Sequence, residues 1–272
     1  PKGRRFLYDR FARHIHYLRV SVTDRCNLRC TYCMPEQGVP LISHDDVLSF
    51  EEIRDVVCAA VDHGFDKIRL TGGEPLVRRG IVNLVEMLAR IRGIRDLAMS
   101  TNGTFLAKHA EALAEAGLQR VNVSLDAMCP TRFATATRGG CLEDVLSGIR
   151  AAREAGLTPV KLNCVVRESS LEPDAKAVAA FAAEEGLEVR YIRQMDFSRG
   201  EFWPISGGTG GDCELCTRLR LTSNGQLLPC LFSDLAFDVR KLGPAAAIEA
   251  AVDAKPERGG PCENNRFYRI GG

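Results

Sequence analysis

Residues 17–33 read YLRVSVTDRCNLRCTYC. The run 17–23 carries the β-branched and aromatic side chains of a strand. Three cysteines follow it at spacings of four and three, Cys26, Cys30 and Cys33, on a strand-to-loop turn. Iron–sulfur clusters are held by thiolates, whereas a structural zinc wants four N or S donors. No fourth Cys or His stands close by, and His14, His16 and His44 reach the site only by distant folding. Three thiolates ligate three irons of a [4Fe–4S] cubane and leave the last iron open to a bidentate amino-carboxylate ligand. A zinc site and plain structural thiols are the other readings of the same residues.

Outward from this stretch, β-rich runs alternate with amphipathic helical patterns. The strands expected besides 17–23 are KIRLT (67–71), RDLAMST (95–101), RVNVSLD (120–126), PVKLNCVV (159–166) and LEVRYIRQM (187–195). Helical patterns lie near 49–63, 79–91, 105–116, 142–155 and 173–185, and Gly64, Gly117 and Gly156 stand where three of them should stop. Strict alternation implies right-handed crossovers and a parallel sheet. Six such units are too few to close an eight-stranded barrel. The fold class expected is therefore α/β: a partial, open (β/α)6 TIM-like barrel over 1–196, then a small C-terminal iron–sulfur hairpin domain and tail over 197–272.

Beyond 196 the pattern changes. SGGTGGD (206–212) is a Gly-rich joint, and CELCTRLRLTSNGQLLPC (213–230) carries an Asn-Gly hairpin signal between two β-like runs. A hairpin there brings Cys216 and Cys230 together at its open end, with Cys213 beside them. This set reads as a second [4Fe–4S] site with an available iron; a zinc hairpin and a redox pair are the alternatives. Cys58, Cys129, Cys141 and Cys164 read as small buried hydrophobes.

With eleven cysteines and no secretory signal, the clustered thiols read as ligands rather than disulfides. The opening PKGRRFLYDRF is basic but has no apolar core, so it is not such a signal, and the cytoplasm is the expected location. A net charge of +1 argues against a general nucleic-acid binder, and no apolar run has the length of a membrane span.

Several polar groups point to a site at the C-terminal ends of the strands, where βα folds gather their active groups. In TGGEP (71–75) the glycines let the backbone approach a ligand and Glu74 offers a carboxylate. Ser100, Thr101, Asn102 and Ser124 end later strands, though each also suits a helix cap or turn. Lys67/Arg69 and Arg218/Arg220 are i, i+2 pairs, each projecting from one strand face, while Arg19, Lys161 and Arg190 interrupt apolar β runs. Converging cations suit a polyanion such as a triphosphate. Local ion pairs or exposed strand ends are the plainer explanation.

The C-x3-C-x2-C spacing with Tyr32 before the last cysteine resembles the signature of the radical S-adenosylmethionine (SAM) superfamily. LRVSVTDRCNLRCTYCMPE, KIRLTGGEPLVRR, RVNVSLDA, CTRLRLTSNGQLLPCLFSD and the terminal IGG together resemble the GTP 3′,8-cyclases of molybdenum cofactor biosynthesis. That resemblance implies a radical SAM lyase that abstracts the ribose 3′ hydrogen of GTP with a 5′-deoxyadenosyl radical. It implies two [4Fe–4S] clusters, on Cys26, Cys30 and Cys33 and on Cys213, Cys216 and Cys230. SAM would meet Tyr32, Gly73, Glu74, Ser100, Ser124 and Met195. The triphosphate would meet Arg19, Lys67, Arg69, Lys161 and Arg190, with Arg218 and Arg220 beside the second cluster. The tail glycines Gly271 and Gly272 would reach into the active site. The partners implied are GTP or another anionic small molecule, an electron donor such as flavodoxin or ferredoxin, and a second copy of the chain in a homodimer.

The chain departs from that family in three places. The connector FSRGEFWPISGGTGGD (197–212) is short, Arg193 and Gln194 stand where an acidic and an aromatic residue are usual, and Cys262 is extra. Cys262, in the loop GGPCENN, reads either as a fourth ligand that closes the second cluster or as a thiol apart from it.

Overall fold

The computed structural model describes residues 6–263, so Gly271 and Gly272 lie outside the described residues. Six strands, β1 (Tyr17–Ser21), β2 (Lys67–Thr71), β3 (Asp96–Thr101), β4 (Arg120–Ser124), β5 (Lys161–Val166) and β6 (Glu188–Arg193), lie parallel in sequence order. The connecting helices are α1 (Phe50–Asp62), α2 (Ile81–Ala89), α3 (Leu106–Glu115), α4 (Pro130–Thr137), α5 (Leu142–Glu154) and α6 (Pro173–Glu185). Expected and observed strand ends differ by two residues or fewer. The glycines expected to stop helices do so in the left-handed region, Gly64 at φ 87°, Gly117 at 98° and Gly156 at 79°.

Helix α4 is an element the periodicity does not announce. PTRFATAT is short and threonine-rich, with weak helix formers and a proline at its first turn. Its place matters more than its strength. The Ala136 and Thr137 carbonyls near its C-terminus accept the N–H groups of Thr31 (2.9 Å) and Arg29 (3.1 Å), which ties the first cysteine loop to the sheet.

The hairpin continues the sheet instead of folding apart from it. β7 (Arg218–Leu221) pairs in parallel with β1, and β8 (Gln226–Leu228) and β9 (Phe237–Asp238) follow antiparallel. The nine strands run β6-β5-β4-β3-β2-β1-β7-β8-β9, a curved sheet that does not close on itself. Gly225 takes φ 83° in the turn between β7 and β8, as the Asn-Gly signal anticipated. Two last helices, α7 (Val239–Leu242) and α8 (Pro244–Asp253), return the chain against α1.

Strict alternation splits the two faces. Leu18, Val20, Ile68, Leu70, Leu97, Met99, Val121, Val123, Leu162 and Cys164 face the helices and are buried in the main core. Apart from Ala98, the residues between them are polar, and they face the concave side. Parallel sheets are usually apolar on both faces. A polar second face marks one that encloses a site rather than a packed core.

Candidate active site

The concave face bounds a cavity of about 320 Å³ into which both cysteine sets open. Cys26, Cys30 and Cys33 lie past the C-terminal end of β1. Cys213 and Cys216 lie before β7, and Cys230 lies after β8. Tyr17 pairs with Arg218, so the second set sits at the other end of β1 from the first. One strand length, about 15 Å, separates them.

Cations fill the interval. Register places Arg220, Arg19, Arg69, Ala98 and Arg120 in one row across β7, β1, β2, β3 and β4. Neighbouring strands are about 4.8 Å apart, so three arginines stand side by side, an arrangement that like charges oppose. The Arg69 side chain donates to Ser100 Oγ at 3.3 Å and also hydrogen-bonds Tyr17. Its buried Nε, like those of Arg190, Arg193 and Arg218, has no hydrogen-bond partner among the described residues. Burial, and then Arg220, Arg69 and Arg218, hold Arg19 down to about 9, against the partial relief of Tyr17. Tyr17 is brought down to about 8: burial pushes its phenol up, and Arg19, Arg69, Arg218 and Lys67 more than reverse that. The wall therefore concentrates positive charge along the middle of the cavity.

Not every expected cation belongs to it. Lys161 is outside the cavity wall, in an ion pair with Glu188. Lys67 stays in the wall but pairs with Asp96 at 3.3 Å, and Arg120 grips the same carboxylate at 2.6 and 2.9 Å. For the two lysines the plainer explanation, local ion pairing, describes the structure. Arg19, Arg69, Arg190, Arg218 and Arg220 line the cavity as expected.

At the first cysteine set, the backbone N–H of Leu28 points at Cys26 Sγ (3.4 Å), and Asn102 Nδ2 lies 3.9 Å from the same sulfur. Phe232 N–H points likewise at Cys230 Sγ (3.4 Å) in the second set. Such N–H···S contacts are among the protein's means of tuning clusters. Burial pushes the Cys30 and Cys33 thiols up to about 12. Among the described residues no three His, Cys, Asp or Glu groups converge on a single metal ion. The six thiols of the two sets line the cavity wall.

Tyr32 lines the cavity and donates its hydroxyl to Asp126 Oδ2 (2.8 Å), while Asp126 Oδ1 accepts the Val165 N–H (2.8 Å). Ser100, Ser124, Met195 and Gly73 also line it. Gly72 and Gly73 are needed for closeness: an added Cβ would stand 2.7 Å from Thr23 O and 2.3 Å from Arg25 O.

Glu74 is 1% exposed and is not among the residues lining the cavity, although its neighbour Gly73 is. Its Oε1 accepts from Thr101 Oγ1 (2.7 Å) and Leu76 N (3.0 Å), and its Oε2 accepts from Asn102 N (2.6 Å). It braces the ends of β2 and β3. Burial raises its carboxyl to about 7, against the pull of those bonds. Glu74→Ala should leave two buried N–H groups without acceptors, at about 1–3 kcal/mol each, and lower the Tm of the ligand-free protein by several degrees. The folded carboxyl titrates at about 7 and the unfolded one at its ordinary 4.5, so its burial penalty is absent below 4.5 and full above 7. The parent protein should therefore lose stability across that window, and melts of Glu74→Ala should lack the decline. Equal pH dependence in the two proteins would remove this role.

Cys262 is buried, outside the cavity wall, with its Sγ 3.8 Å from Leu231 O and its N–H on Phe197 O (2.9 Å). It therefore lies beside the chain next to Cys230 without opening into the cavity.

Sequence reasoning missed Arg120, Asn122, Asn163 and Lys255, all in the wall. The polar alternation in RVNVS and in KLN was the available signal for the first three. A lone lysine before a proline, as in AKPER, carries none.

A family model described as the radical SAM superfamily matches residues 20–179. The GTP 3′,8-cyclase of Peptoclostridium acidaminophilum is 40% identical over 277 residues, taking in 86% of this chain and 85% of that protein. That of Thermodesulfovibrio yellowstonii is 41% identical over 280 residues, 86% of this chain and 87% of its own. Both alignments exceed the 272 residues of the whole chain, so these relatives carry residues that it lacks. Among solved structures, Streptococcus suis SuiB bound to S-adenosylmethionine shares the fold, with a TM-score of 0.64 and 15% identity over 84% of this chain and 64% of that one. The superfamily match spans more than half the chain and the cyclases align with most of it, so this chain belongs to the radical SAM superfamily, in the family of the GTP 3′,8-cyclases, whose members work with SAM and a [4Fe–4S] cluster.

Proposed function

We propose that the enzyme converts GTP to the 3′,8-cyclised intermediate of molybdenum cofactor biosynthesis. The observation that carries this reading is the row Arg220, Arg19 and Arg69 set between two cysteine sets in one cavity. A nucleoside triphosphate has the charge to offset that row and the length to place its base and sugar toward different ends.

In this reading Cys26, Cys30 and Cys33 hold the cluster that binds SAM, and Cys213, Cys216 and Cys230 hold a second one. When loaded, the first site supplies a 5′-deoxyadenosyl radical directed at the ribose 3′ hydrogen. The chain's own groups do the rest by placement. The Gly72–Gly73 backbone admits the methionyl end of SAM closely, Tyr32 is held against Asp126, and Ser100, Ser124 and Met195 shape the surrounding wall. Arg19, Arg69, Arg190, Arg218 and Arg220 grip the triphosphate and turn the guanine toward the second set. Carbon–carbon closure then depends on the sugar and base being held within reach of each other.

The test is anaerobic incubation of reconstituted, reduced protein with SAM and GTP, read by mass spectrometry. 5′-Deoxyadenosine together with an isomer of GTP is the expected result. Deoxyadenosine with GTP unchanged would move the substrate to another anionic small molecule or a peptide. Absence of both, in protein that has taken up iron, would remove the reading.

A further inference from the structure

Lys255 follows α8 by two residues and turns back under the hairpin. It is 3% exposed, and no carboxylate of the described residues forms an ion pair with it. A buried ammonium without a counter-charge is costly. Its Nζ donates to Arg218 O (2.8 Å) and Pro229 O (2.7 Å), and its side chain also hydrogen-bonds Cys216. An ammonium has three donors. Two of them close the open end of the hairpin, at the residue two after Cys216 and the residue just before Cys230. The third goes to a thiol of the set.

The turn that carries Lys255 is stitched to the other two cysteines as well. The Arg13 guanidinium, paired with Asp9 at 2.6 Å, donates to Cys213 O (2.6 Å), Glu257 O (2.9 Å) and Pro256 O (2.6 Å). At Gly259 an added Cβ would stand 3.3 Å from Cys230 Sγ. Residues 255–259 thus wrap all three cysteines, and Lys255 is the member whose charge faces a sulfur.

We propose that Lys255 is the charge-compensating donor of the second cluster and raises the potential at which that cluster accepts an electron. This rests on the reading that Cys213, Cys216 and Cys230 hold a cluster. Three thiolates around a cubane leave net negative charge, and one more electron adds to it. A buried ammonium bonded to a ligating sulfur favours the more negative state, because charge interactions weaken little where water is excluded.

The test uses the full chain carrying Cys26→Ala, Cys30→Ala and Cys33→Ala, so that only the second set can load. Iron and sulfide are counted after anaerobic reconstitution, and the potential is read by a redox titration followed by electron paramagnetic resonance. Lys255→Met and Lys255→Gln should each shift the midpoint to more negative values, Met further than Gln, while Lys255→Arg stays near the parent. If the parent triple variant takes up no cluster, the second-cluster reading fails. If it loads and Lys255→Met titrates with the parent, the lysine proposal is overturned and the cluster reading stands. Loss of iron from Met and Gln but not from Arg supports a need for the charge. Loss from all three overturns it, since the site would then need the lysine's shape.

Discussion

Cys30→Ala protein, loaded anaerobically and reduced, will form 5′-deoxyadenosine at least about a thousandfold more slowly than the parent, with or without GTP. Cys216→Ala, treated alike, will still cleave SAM within a few-fold of the parent and will make no cyclised product. The contrast follows from the position of the two sets at opposite ends of β1. Cys30 sits on the loop tied to α4 through Thr31 and braced through Tyr32 on Asp126, close to the Gly72–Gly73 approach. Cys216 is beyond the arginine row, beside Lys255. Quantifying deoxyadenosine by chromatography checks both halves. SAM cleavage persisting in Cys30→Ala would overturn the assignment of the first set, and its loss in Cys216→Ala would mean that the sets do not work separately.

Arg69→Met should act in two directions at once. A charged hydrogen-bonding group that grips phosphate is worth about 1.5–3 kcal/mol, so affinity for GTP should fall roughly ten- to a hundredfold. The ligand-free protein should become more stable, because a guanidinium 4% exposed, beside Arg19 and with its Nε unpartnered among the described residues, is removed. The sign can be checked through Arg19. Its folded value of about 9 lies below its ordinary 12.5, so its burial penalty is complete at neutral pH and relieved only as pH rises above 9. Removing the neighbouring charge lessens that penalty. Calorimetry with a non-reacting GTP analogue gives the first effect, and thermal melts with and without inorganic triphosphate give the second. A lower Tm for the ligand-free variant would show that the arginine row is not held against its own repulsion.

Much of this was legible because the signals are local. Period-two alternation in YLRVS and KIRLT places Arg19, Lys67 and Arg69 on one face whatever the strands pair with. Cysteine spacing depends on neighbours within a few residues, and Gly64, Gly117 and Gly156 stop helices through their own φ. The βα alternation was enough to imply an open parallel sheet. The bonds that Glu74 accepts from the Leu76 and Asn102 N–H groups are not legible in the pattern, since Asn102 ends another strand unit. Lys161 could not be told from Arg69 by pattern, since its partner Glu188 belongs to another strand.

The chain's local order therefore announces a radical SAM barrel with two thiol sets and a supply of cations. How these meet depends on contacts between distant segments. β7 pairs with β1 across about two hundred residues, and that register alone puts Arg220 beside Arg19 and the second cysteines at the far end of the cavity. Arg13 reaches Glu257 over 244 positions, and Lys255 reaches Arg218 over 37. No periodicity encodes such separations, because each contact is chosen by the packing of the whole sheet and by the need to give every buried donor an acceptor.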